Sequence, residues 1–125
     1  SMFNTPPVFA IYVSMLTLKW LKKRGGIDQI EKNNNEKANL LYSEIDRNKL
    51  FKGTANVEDR SKMNVCFHLL DKKKEVQFNK MLNESGINGL NGHRSVGGYR
   101  ASIYNAMQIE SIKLLVDIMK KLERN

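Results

Sequence analysis

Apolar residues along this chain follow two different rhythms, and the changes between them outline the elements. From Val8 to Leu18 every position is apolar except Ser14 and Thr17. Thr5 can cap a helix there with Pro6 at its favoured first position, and Gly25-Gly26 stops that helix after about Arg24. Apolar character around a whole circumference implies burial on more than one side. A domain this small cannot easily enclose such a helix alone, which implies a missing domain or a partner subunit. Next, Ile27, Ile30, Ala38, Leu41 and Ile45 recur at steps of three and four, with Asn34 filling the gap. This predicts a second helix whose other face, with Lys32, Glu36 and Lys37, is solvated.

The period then shortens. Leu50 to Ala55 reads as a short strand and Asp59 to Lys62 as a turn. Between Met63 and Leu70, Val65, Phe67 and Leu69 alternate with Asn64, Cys66 and His68, the clearest strand of the chain. Lys73 to Ser85 predicts a third helix, with Val76, Met81 and Leu82 inward and Gly86 as its stop. Ile87 to His93 and Tyr99 to Tyr104 read as two strands joined at Val96-Gly97-Gly98. A last helix from about Gln108 to Glu123 carries Ile109, Ile112, Leu115, Val116 and Met119 on one face. The pattern predicts an α+β domain with helices packed on one side of a small, mainly antiparallel sheet.

Charge changes this picture little. The 125 residues carry 21 Lys and Arg against 13 Asp and Glu, a formal +8, which raises nucleic acid or acidic ligands as partners. The basic residues lie in short runs at expected helix ends (Lys22-Lys23-Arg24, Lys72-Lys73-Lys74, Lys120-Lys121) rather than in one stripe, which argues against nucleic acid. The single cysteine, Cys66, excludes an internal disulfide, fits a reducing cytoplasm, and in its apolar surroundings reads as a buried, inert thiol. The Val8–Leu18 run is shorter than the roughly 20 residues a membrane span needs. Its positive charges also follow it, where a signal peptide would place them before.

The candidate chemistry lies between Gly92 and Ser102. Arg94 and Arg100 are six residues apart, His93 adjoins the first, and glycines flank both. A guanidinium is a flat fork of donors suited to a carboxylate or phosphate. Strand alternation puts Arg100 and Ser102 on one face and Tyr99, Ala101 and Ile103 on the other. His93 and Arg94 would point apart in a regular strand, and reach one ligand only if the strand has ended, which the glycines permit. The spacing allows one anion on His93 and Arg94 and a second on Arg100; the plainer alternative is a pair of surface arginines in a basic protein. The sequence shows no glycine-rich nucleotide fingerprint, no Cys/His metal set and no nucleophile–base pair at useful spacing.

An ordered set of motifs spans nearly the whole chain: Asn4-Thr5-Pro6-Pro7, Lys19-Trp20-Leu21-Lys22, Gly25-Gly26-Ile27, Lys37-Ala38, Leu40-Leu41-Tyr42, Ser61-Lys62-Met63-Asn64-Val65-Cys66-Phe67, Gly92-His93-Arg94 and Gly97-Gly98-Tyr99-Arg100-Ala101-Ser102-Ile103-Tyr104-Asn105-Ala106. In these the chain resembles the C-terminal portion of the phosphoserine aminotransferase family, class V aminotransferases of fold-type I that use pyridoxal 5'-phosphate. The resemblance implies amino transfer between glutamate and 3-phosphohydroxypyruvate, giving 2-oxoglutarate and phosphoserine for serine biosynthesis, and in some members a role in pyridoxine synthesis. It implies a cytoplasmic homodimer acting on small molecules, with no nucleic acid and no membrane. Arg100 would hold the substrate α-carboxylate, His93 with Arg94 its phosphate, and Asn4 with Thr5 the cofactor phosphate of the neighbouring subunit. Residues 1–24 would be the helix leading from a large domain, and 25–125 the C-terminal small domain.

The family's Schiff-base lysine lies upstream of the Asn-Thr pair, and only three residues precede Asn4 here. The resemblance therefore implies a fragment with no catalytic residue of its own and no metal, inert alone, whose parent is the enzyme; Ser1 reads as a cloning remnant. Two alternatives stay open: a non-catalytic basic module for anions or nucleic acid, and a class V aminotransferase with another substrate. His93-Arg94 argues against the latter, since an uncharged substrate tail would leave two cations unpaired.

Overall fold

A computed structural model describes residues 3–124, and Ser1 lies outside the described residues. The chain divides into two compact units, 1–32 and 33–125.

In the first unit, α1 (Val8–Lys23) begins two residues later than the sequence predicts. Pro6 cannot open the helix because Pro7 follows it, and a residue before proline is driven out of the helical region. Pro7 instead forms an inverse γ-turn (φ −74°, ψ 73°), with the Val8 N–H donating to the Pro6 carbonyl at 2.8 Å. Thr5 is therefore not the cap. The helix ends where predicted: the Arg24 N–H reaches the Trp20 and Leu21 carbonyls, and Gly25 follows at φ 97°. No residue of α1 is buried, and its apolar side chains, Phe9 foremost at 81% exposed, stand in solvent.

The helix α2 (Gly26–Arg47) begins in the first unit and continues into the second. Ile27, expected inward, is 85% exposed. In the second unit the sheet is antiparallel in the order β1 (Phe51–Gly53), β2 (Asn64–Leu69), β3 (Tyr99–Ser102). Phe51 pairs with Leu69, Val65 with Ala101 and Phe67 with Tyr99. That register places Phe51, Val65, Phe67, Tyr99 and Ala101 on one face, where they form a single core with Ala38, Leu41 and Ile45 of α2. The same core takes in Phe78 and Leu82 of α3 (Glu75–Glu84) and Ile112, Leu115, Val116, Met119 and Leu122 of α4 (Ile109–Arg124). Four aromatic rings interlock at its centre: Phe78 meets Phe51 and Tyr99 edge-on, and Phe67 stacks on Tyr99 at 5.5 Å. This is the α+β arrangement the periodicity predicts.

Three expectations need correction. Val76 is 80% exposed and Phe78 takes the inward position of α3, because Phe78 and Leu82, four residues apart, share the core face and Val76 falls on the other side of the helix. Residues 87–93 are not a strand; Gly89 sits at φ 72° and only Asn91 makes a bridge, to Tyr99. Lys37 is not solvated but 2% exposed, its ammonium donating to the carbonyls of Ile103 (3.1 Å), Tyr104 (2.7 Å) and Met107 (3.1 Å). One turn earlier on α2, the Asn34 amide donates to Asn105 Oδ1 at 2.8 Å. Together they fasten the segment after β3 to α2.

Candidate functional site

The sheet face turned away from the helices carries Lys52, Asn64, Cys66, His68, Arg100 and Ser102, all exposed or half-buried. Arg100 stands opposite Cys66 and His68 opposite Lys52. Cys66 is thus half-buried on a polar face rather than sealed in the core. Asn64 Oδ1 accepts from both the Ser102 and Tyr104 hydroxyls at 3.2 Å, which fixes the sheet edge beside Arg100. The Arg100 N–H donates to the Leu90 carbonyl at 2.7 Å, so its backbone is held while its side chain stays exposed.

His93 and Arg94 sit in a loop closed at its base by the Gly92 N–H on the Gly98 carbonyl (2.8 Å). The His93 carbonyl accepts from Val96 (3.0 Å) and Gly97 (2.8 Å), winding 93–97 into a tight turn. The glycines are sterically required at two places. A Cβ on Gly92 would lie 2.2 Å from the Gly97 oxygen. One on Gly98, whose φ is 67°, would lie 2.5 Å from His68 Nδ1 and 2.7 Å from the Phe67 oxygen. His68 is thus the surface on which the loop rests. His93 lies outside any strand, as a shared ligand for His93 and Arg94 requires.

Charge pairing separates these two arginines from Arg47 and Arg60, though not from Arg24 and Arg124, which among the described residues are also exposed and in no ion pair. Arg47 binds Glu44 and Glu123 at 2.7 Å, and Arg60 grips Asp46 with two 2.7 Å bonds while lying over the Tyr42 ring. Among the described residues, Arg94 and Arg100 are in no ion pair and both are exposed. Arg100 also lies at the rim of a cavity of about 310 Å³ lined by Ile87, Leu90, Ile103, Met107 and Leu115; His93 and Arg94 do not line it. Asn4 and Thr5 are exposed ahead of α1 in the other unit. The helix start itself offers an anion less than the sequence implies, because Pro6 and Pro7 have no N–H and that of Val8 is already bonded. Among the described residues no cluster of three metal-binding side chains occurs, and no helix is long and apolar enough to cross a membrane. Sequence reasoning missed Ser95, whose hydroxyl lies 2.7 Å from His93 Nδ1; a serine two residues from a polar side chain in a glycine-flanked loop is its visible signal.

An α+β domain that presents one unpaired arginine on an open sheet face and another on the adjoining loop has a match among known families. The Aminotransferase class-V family profile covers residues 1–115, and the chain belongs to that family. Within it, the chain is 67% identical over 123 residues to the phosphoserine aminotransferase of Flavobacterium psychrophilum, covering 98% of this chain and 35% of that protein. It is 52% identical over 126 residues to that of Bacteroides fragilis, covering 99% and 36%. Its fold matches the solved phosphoserine aminotransferase of Bacillus circulans subsp. alkalophilus with a TM-score of 0.89 at 44% identity, over 98% of this chain and 34% of that one. The pyridoxal-phosphate-bound enzyme of Trichomonas vaginalis matches with a TM-score of 0.84 at 38% identity, over 95% and 34%. The chain spans about a third of the length of these relatives.

Proposed function

We propose that this chain is the C-terminal part of a phosphoserine aminotransferase, with residues 25–125 as the small domain and 1–24 as the segment and helix leading into it. The whole enzyme exchanges an amino group between glutamate and 3-phosphohydroxypyruvate in serine biosynthesis, as a cytoplasmic homodimer. The observation that carries the reading is the pair of exposed, unpaired arginines on two separately built supports: Arg100 on β3 and Arg94, with His93, on the glycine-closed loop. The backbone that carries each of these side chains is hydrogen-bonded in place before any ligand arrives.

Arg100 takes the α-carboxylate common to both amino-acid substrates, and its fork offers two parallel hydrogen bonds. His93 and Arg94 take the phosphate that only one substrate has. Pyridoxal phosphate, when bound, supplies the electron sink for amino transfer. The residues present fit its phosphate end only: Asn4 and Thr5 are exposed and Thr5 is not engaged as a helix cap. Their side chains, rather than the proline-blocked helix start, would make that contact, to the cofactor of the neighbouring subunit. The cofactor-bearing lysine belongs to the upstream part of the enzyme.

Separate half-reactions of the full-length enzyme, followed through cofactor absorbance, test the assignment. Arg94→Ala removes a contact made to phosphate alone and lowers the specificity constant for phosphoserine roughly 10- to 150-fold, the equivalent of about 1.5–3 kcal/mol for a charge-assisted hydrogen bond. The glutamate half-reaction is then little changed. Arg100→Lys keeps the charge but loses the fork, and weakens both. Equal damage to both half-reactions by Arg94→Ala, with stability unchanged, would refute the phosphate assignment.

A further inference from the structure

The loop that carries His93 also determines how that imidazole presents itself. His93 Nδ1 lies 2.7 Å from the Ser95 hydroxyl and 3.3 Å from the Ser95 backbone N–H. A hydroxyl can serve either tautomer, because it both donates and accepts. A backbone N–H cannot: it only donates, so the nitrogen it faces must offer a lone pair. In the neutral ring that leaves the proton on Nε2, at the opposite edge of an exposed side chain.

We propose that Ser95 is a positioning residue that holds neutral His93 in the Nε2–H tautomer, so that the loop turns a donor, never a lone pair, toward a phosphate monoester. The part played by the phosphate rests on the function proposed above; the tautomer does not. Phosphate oxygens are acceptors, so the other tautomer would set the Nε2 lone pair against them. With Nδ1 already satisfied inside the loop, the imidazole assists Arg94 without needing to carry a charge. The Ser95 hydroxyl anchors the ring edge, and the 93–97 turn brings the Ser95 N–H to the same nitrogen. Neither group is available to a histidine in a regular strand, where residues two apart do not fold back on each other.

The test is a proton–nitrogen multiple-bond correlation spectrum of the chain labelled at histidine nitrogen, at a pH where the ring is neutral. Nε2 couples to both ring carbon-bound protons and Nδ1 mainly to one, so the protonated nitrogen is identified directly. The chain contains two histidines, and His68 serves as an internal control for folding. Folded wild type should show a higher ratio of Nε2–H to Nδ1–H at His93 than the same chain in urea, by about twofold to tenfold for one modest hydrogen bond. Ser95→Ala, which loses the hydroxyl anchor but keeps the backbone N–H, should lower the ratio part of the way toward the urea value with His68 signals unmoved, and Ser95→Thr, which keeps both donors, should restore it. A folded ratio equal to that in urea, or one unchanged in Ser95→Ala, overturns the proposal. Titration with inorganic phosphate then tests the other reading by itself. If the ratios behave as stated and His93 Nε2 ignores phosphate, the ligand assignment fails while the role of Ser95 stands.

Discussion

Replacing Lys37 by methionine isolates the strongest polar element of the fold. The ammonium is 2% exposed and its three N–H groups meet three carbonyls at 2.7–3.1 Å. Methionine keeps most of the length and apolar volume, so the change removes the donors without opening a large cavity. Three charge-assisted bonds at about 1.5–3 kcal/mol each would overstate the loss, because burying the ammonium itself costs several kcal/mol. What remains is the orphaned acceptors. The Tyr104 carbonyl keeps the Met107 N–H at 2.9 Å, while the other two lose the Lys37 donor, at about 1–3 kcal/mol apiece. The expected loss is therefore about 2–6 kcal/mol, a large share of a small domain's stability. Denaturant titration should show a lower midpoint at unchanged slope, with Lys113→Met on an exposed face of α4 as a control within about 0.5 kcal/mol of wild type. A loss below about 1 kcal/mol would mean that the clamp on 103–107 is not what holds this segment. Burial also pushes the Lys37 pKa below its ordinary 10.5. Just under that pH the unfolded chain binds more protons than the folded one, so wild type should gain stability relative to Lys37→Met as pH rises through the window.

Tyr99 should act in the opposite sense. Burial, with the nearby Glu75 charge, raises its pKa from 10.0 to about 12, so its contribution is intact below pH 10 and lost as pH rises toward 12. The stability difference between wild type and Tyr99→Phe should narrow across that range in thermal melts, and a constant difference would refute the assignment. Gly98→Ala pays both for a left-handed backbone and for a Cβ 2.5 Å from His68, and should cost at least about 2 kcal/mol in denaturant titration. Gly97→Ala, with the same hand but open space around its Cβ, should cost about 1 kcal/mol; equal losses would show that contact with His68 is unimportant.

The periodic elements of this domain were legible from the sequence because the rhythm of apolar residues reports local geometry and burial together. The four helices, the alternation in β2 and the two faces of β3 follow from that rhythm, as do the left-handed glycines that end α1. Arg94 and Arg100 stood out as candidates for an anion on different grounds, the chemistry of the guanidinium and the glycines around them. Two local features misled. The first proline of a pair cannot begin a helix, which moved the start of α1. A lone valine in α3 reads as inward, but Phe78 and Leu82, four residues apart, take the core face.

The rest depended on contacts between residues distant in sequence. A lysine on a polar stretch of helix reads as solvated; only the arrival of the Ile103, Tyr104 and Met107 carbonyls, some seventy residues later, makes it structural. Arg47 and Arg60 look no different from Arg94 and Arg100 in composition, and it is the placement of Glu44, Glu123 and Asp46 that occupies the first pair and leaves the second exposed. The tautomer-setting contact of Ser95 needs the tight turn at 93–97, which in turn rests on Gly98 lying against His68. Periodicity specifies which face of an element is apolar. Which polar groups are satisfied, and which are left for a ligand, is a property of the assembled acceptors and donors, and only the tertiary fold brings those together.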